Sequence, residues 1–111
     1  LGEALKELKN DALIICSGGI THNLSDMSLS TTPKKYAIDF NILIKKAIEN
    51  NNYEELFNIK ENHLLNKNHP SPEHFLPLFI ALGASFNKRG RSFNSEIQYS
   101  NISMESFIFD E

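Results

Sequence analysis

Cysteine is nearly absent from this chain of 111 residues, and the single Cys16 excludes an intrachain disulfide. No apolar run approaches the roughly 18 residues of a membrane span, and no charged-then-apolar leader opens the sequence, so the expected address is cytoplasmic. An excess of positive charge is also missing. Eleven basic residues face fourteen acidic ones for a net charge of −3, and the cations (Lys34, Lys35, Lys45, Lys46, Lys88, Arg89, Arg91) are scattered in pairs. A nucleic-acid surface needs more positive charge, and more of it in one place. There is no internal repeat, and the only biased stretch is the short run Asn50 to Asn52.

What is present is 41% hydrophobic residues in a length that suits one small domain with one core. The opening "LGEALKELKND" has Leu1, Leu5 and Leu8 at helical spacing and no initiating Met, and so reads as a chain cut from something longer. "ALIIC" (residues 12 to 16) is a continuous apolar run of the kind that forms a strand covered on both faces, as in parallel sheets, with Cys16 as a small buried thiol. Residues 25 to 35 read as a polar loop broken by Pro33. "YAIDFNILIKKAIEN" then places Ala37, Phe40, Leu43, Ile44, Ala47 and Ile48 on one helical face, which predicts a core helix. A short helix follows over about 53 to 59 with Asn52 as its cap, and residues 60 to 70 read as a polar connection.

"SPEHFLPLFIALGA" (71 to 84) predicts a helix capped by Ser71, started by Pro72, kinked at Pro77 and ended at Gly83. After a loop, "SEIQY" and "SMESFIF" predict two short strands at a sheet edge, the second with Phe107 and Phe109 on one face and Ile108 opposite. Helices alternating with strands give the fold class α/β, with a mixed, partly parallel sheet flanked by helices.

Four histidines could carry chemistry: His22, His63, His69 and His74. His22 follows Gly18 and Gly19 at the C-terminal end of the predicted strand, the edge at which open α/β sheets bind ligands. His74 falls in the first turn of the predicted helix, where unsatisfied N–H groups favour a neutral, metal-binding imidazole. His69, before Pro70, would line whatever site its neighbours form, and His63 sits in the polar connection. Spacings of six and five residues among His63, His69 and His74 match no structural zinc pattern. Nor does "CSGGITH" make a phosphate-binding glycine loop.

"CSGGITHNL", "HPSPEHFLPLFIALGA" and "SNISMESFIF", in this order, resemble the C-terminal part of the class III extradiol ring-cleavage dioxygenases, in the branch of 4,5-DOPA extradiol dioxygenase-like proteins. The resemblance implies a C-terminal portion of a layered α/β catalytic domain over residues 1 to 111, with the N-terminal half and its two metal-binding histidines absent. It implies Fe(II), or zinc in some isolated proteins, with His74 as the metal ligand that the C-terminal half supplies. His22 is then the acid–base catalyst, and His69 a residue near the substrate. The implied substrates are a catechol-type molecule and O2, with no nucleic acid and no membrane as partner. On this reading the chain alone is inactive and works within a longer chain, with a complementing chain or as a homo-oligomer. The alternative is a truncated, non-catalytic remnant that acts at most as a small folding or oligomerising domain.

Overall fold

The computed structural model describes residues 1–109. The core forms around the helix that the apolar stripe predicts. Helix α1 (Gly2–Leu5) runs into a 3-10 turn (Lys6–Asn10), and α2 spans Lys35–Glu49. Ala37, Phe40, Ile44, Ala47 and Ile48 are buried along one face of α2, with Leu43 packed partly buried at its margin. Against that face lie Leu56 of α3 (Tyr53–Phe57), Ile59 of the next 3-10 turn, and Leu64 and Leu65 of α4 (Leu64–Asn68). Phe75 and Leu82 join them, Leu82 from α5 (Pro77–Ala84). Among the described residues no helix is long and apolar enough to cross a membrane.

Four short strands complete the α/β fold: β1 (Arg91–Asn94), β2 (Ile97–Gln98), β3 (Ile102–Ser103) and β4 (Ser106–Ile108). They pair as two antiparallel ribbons, β1 with β4 and β2 with β3. Phe107 and Phe109 pack against the core while Ile108 stays exposed, as the alternation predicts. One polar residue interrupts the apolar face of α2. Asn41 is buried and donates from Nδ2 to the Glu105 carboxylate at 3.0 Å. Glu105 is itself 8% exposed and also accepts from the hydroxyls of Ser92 and Ser95. The carboxylate is thus held by neutral donors from α2, from β1 and from the turn after β1, which ties the strands to α2.

Four expectations need correction. No parallel pair occurs among the described strands. The "ALIIC" run forms no strand and has no main-chain partner beyond Ala12 among the described residues, and Leu13 and Ile15 are exposed, because a strand is defined by its partner and the apolar pattern alone does not supply one. Helix α5 begins at Pro77, with Pro72 to Leu76 forming a preceding turn. Starting there places the ring at the one helical position where the missing N–H costs nothing, so the helix is not kinked. Helix α4 and β1 fall in stretches that read as connection or loop, each too short for a periodic signal, and the predicted "SMESFIF" strand divides between the end of β3 and β4.

Candidate active site

The segment from Ile20 to Asn23 is held from two sides. On one side the end of α4 receives it: His22 N–H donates to the Asn68 carbonyl at 2.9 Å, and Asn23 Nδ2 donates to the Lys67 carbonyl at 2.6 Å. On the other side stands the β2–β3 hairpin. Thr21, fully buried, donates from Oγ1 to the Asn101 carbonyl at 2.7 Å and accepts from Ser103 N–H at 2.9 Å. Asn101 Nδ2 donates to the Asn23 carbonyl at 2.7 Å and to the Tyr36 hydroxyl at 2.9 Å, and that hydroxyl donates to Asp26 at 2.6 Å. The hairpin turn makes this reach through Tyr99 and Ser100, both at positive φ. Their carbonyls accept from Ser28 and Lys34, which pins the 25 to 35 loop over the same region.

Two more contacts bring the C-terminal histidine to this segment. Gly19 N–H donates to the His74 carbonyl at 2.7 Å. Beside it, a Cβ on Gly18 would stand 2.4 Å from the same oxygen, so only glycine allows the approach. The result is that the rings of His22 and His74 stack with centroids 3.9 Å apart and planes 26° from parallel. His22 is half-buried and His74 exposed. His74 thus lies in the turn before α5 rather than in a helix's first turn, and the helix-end argument for its neutrality does not apply.

His69 is 4% exposed and set into the core. Its ring stacks on Phe75 at 4.9 Å and meets the edge of Phe40 at 5.8 Å. Nε2 lies 2.6 Å from the Ile20 carbonyl. A carbonyl only accepts, so Nε2 carries the proton and Nδ1 is a bare acceptor, buried without a partner among the described residues. Burial lowers the His69 pKa first of all; the Ile20 carbonyl works against this, and the neighbouring His22 and His74 add to it. The sign for stability follows. A base whose pKa falls on folding binds more protons unfolded, so stability is full above about 6.5, the ordinary histidine value, and declines as pH falls below it. We expect the urea midpoint to drop between pH 7.5 and 5.5, and less so in His69→Gln, which removes the titrating ring. An equal drop in both would assign the acid sensitivity elsewhere.

His63 is exposed and stands just before α4, apart from this cluster. Sequence reasoning missed Thr21 and Asn101, whose buried hydroxyl and amide fix the His22 segment, and Asn68, whose main-chain carbonyl receives His22 N–H. Their only signal is position, since Thr21 adjoins His22, Asn68 precedes His69 and Asn101 lies in the "SNISM" motif. Among the described residues no three His, Cys, Asp or Glu side chains converge into a metal site. Among the described residues His74 is thus an exposed imidazole without a converging set of metal-binding side chains around it.

Fold and geometry together define a small α/β domain with a clustered-histidine site. The chain belongs to the LigB family, described as the catalytic LigB subunit of aromatic ring-opening dioxygenase, whose model matches residues 1–109. It is similar to a 4,5-DOPA dioxygenase extradiol-like protein of Schizosaccharomyces pombe, at 33% identity over 75% of this chain and 30% of that protein. It is also similar to the 4,5-DOPA dioxygenase extradiol of Beta vulgaris, at 39% identity over 77% of this chain and 33% of the relative. The Portulaca grandiflora enzyme of the same name is 35% identical over 79% of this chain and 34% of its own length. A crystal structure of an uncharacterized Escherichia coli K12 protein superposes with a TM-score of 0.83 at 25% identity, over 96% of this chain and 46% of that one. The chain thus spans about a third of the length of the curated relatives it matches.

Proposed function

We propose that this chain supplies the C-terminal catalytic portion of a non-haem iron-dependent dioxygenase that opens a catechol-type ring with O2, beside rather than between the two hydroxyls. The observation that carries the reading is the stacking of His22 on His74, at 3.9 Å, within a chain of the ring-opening family. Because the described side chains do not enclose a metal, iron would be held by His74 together with ligands from the part of the domain that this chain does not span. Bound there, it would supply the redox coupling between ring and oxygen.

This chain's own residues have separate tasks. His22, with its main chain anchored on Asn68, is the group to accept a phenolic proton from the catechol and later return one to the opening ring. His69, kept neutral by burial, borders the substrate from the core side. Its hydrogen bond to the Ile20 carbonyl sets the path of the chain two residues before His22.

The test is catechol-dependent oxygen uptake with added ferrous iron. The 111-residue chain alone should give none. The chain completed by the unmatched part of the S. pombe relative should consume oxygen and release a ring-opened semialdehyde. Uptake by the chain alone, or a completed domain that binds iron and leaves catechol intact, would overturn the proposal.

A further inference from the structure

Two of the anchors on the His22 segment lead to one residue, Tyr36, to which the chemistry above gives no task. The Tyr36 carbonyl accepts from Asn68 Nδ2 at 3.1 Å, and the Asn68 carbonyl in turn accepts from His22 N–H at 2.9 Å. The Tyr36 hydroxyl accepts from Asn101 Nδ2 at 2.9 Å, and the same amide donates to the Asn23 carbonyl at 2.7 Å. The two routes thus end on the main chain before and after the His22 side chain. A third contact comes from Lys67, whose ammonium stands 5.8 Å from the centre of the Tyr36 ring and whose carbonyl accepts from Asn23 Nδ2.

Every bond of the hydroxyl route has a fixed direction. Asp26 stays a carboxylate, because the Lys34 ammonium, at 2.8 Å, and then the Tyr36 hydroxyl hold its pKa down. A carboxylate only accepts, so the phenol proton points at Asp26, at 2.6 Å. Burial, and then that same carboxylate, raise the Tyr36 pKa, and the phenol keeps its proton. Its lone pairs are left to face Asn101. The Asn101 amide is fixed too, since turning it over would set Oδ1 against the Asn23 carbonyl. The chain of bonds runs from Asp26, exposed at the surface, through half-buried Tyr36 to the fully buried Asn101. A charged acceptor at its outer end strengthens the bonds that follow.

We propose that Tyr36 is a positioning residue for His22: its hydroxyl, aimed by Asp26, holds the Asn101 amide on the Asn23 carbonyl and so sets where the His22 ring stands beside His74. This rests on the reading of His22 as the acid–base group. Packing does not account for the hydroxyl, because phenylalanine fills the same space without it. What the oxygen adds is one directed acceptor and one directed donor. Both belong to the bonds that orient the segment, and neither touches the His22 ring.

Tyr36→Phe tests this, since it keeps the ring and the carbonyl bond to Asn68 and removes only the hydroxyl. In the isolated chain, exchange of the His22 amide should quicken by about tenfold or more relative to that of Ile44 in the core helix. In the domain completed by the unmatched part of the S. pombe relative, kcat should fall by about tenfold or more while KM stays within about twofold. Iron content should not change. Asp26→Ala, at an exposed position, should give the same pattern at smaller size, because the hydroxyl is then free to turn. Ile59→Val loosens the core and touches no bond of this network, and it should leave kcat unchanged. An unchanged His22 amide, equal acceleration of the His22 and Ile44 amides, or a kcat loss matched by Ile59→Val would overturn the proposal. A completed domain that opens no ring would count against the activity. Exchange of the His22 amide needs neither iron nor substrate, and it would still decide whether Tyr36 holds the segment.

Discussion

In the completed domain, His22→Ala is expected to lower catechol turnover by about 10²–10⁴-fold, the usual weight of a positioned acid–base group, while iron content stays close to that of the parent. His74→Ala is expected to empty the site of iron and abolish turnover with it. The two rings touch, and this makes the comparison sharp. Removing either one strips the other of the same stacking contact, so loss of that contact alone would affect both variants alike. Only separate chemical tasks split metal content from turnover. His74 is exposed, and its loss should cost the fold within about 0.5 kcal/mol, which keeps unfolding out of the readout. Iron per protein and initial oxygen uptake, measured on the same preparations, decide the matter. Equal metal loss in both variants, or unimpaired ring opening in both, would show the assignment to be wrong.

The elements that were legible in the sequence are those whose physics is local. The stripe on α2 announces itself because Ala37, Phe40, Ile44, Ala47 and Ile48 recur at helical spacing over about three turns. The alternation of Phe107, Ile108 and Phe109 announces β4 in the same way. "ALIIC" shows the limit of such reading. Its apolar run predicts a covered strand, but pairing is a property of two segments, and among the described residues no second segment pairs with it. Pro72 and Pro77 show another limit. Either suits the start of a helix, and the choice of Pro77 is settled by the contacts of the preceding turn, where the His74 carbonyl takes Gly19 N–H. For the site, His22, His69 and His74 were identifiable as residue types in motifs. What sequence spacing does not contain is that His69 would turn into the core and that Asn68 and Asn101 would grip the His22 segment.

Asn101→Ala carries the second large expectation, because one fully buried side chain holds two parts of the site together. Its Nδ2 serves the Asn23 carbonyl at 2.7 Å and the Tyr36 hydroxyl at 2.9 Å. Truncation removes the donor from the part-buried Asn23 carbonyl and leaves a void where the buried amide stood. The unsatisfied group costs about 1–3 kcal/mol, and the cavity raises the total to roughly 2–4 kcal/mol. Tyr36 keeps its bond to Asp26, so the loss should concentrate on the Asn23 side and free the turn that carries His22. Asn101→Asp should be worse than alanine. It removes the amide donor and sets a carboxylate oxygen against the Asn23 carbonyl, in a place closed to water. Urea unfolding of the isolated chain measures both variants without reference to activity. A midpoint for Asn101→Ala equivalent to within about 0.5 kcal/mol of the parent would mean that the hairpin does not hold the His22 segment. A large loss, with turnover of the completed domain reduced at unchanged iron content, would mean that the hairpin holds the acid–base residue in place as well as the fold.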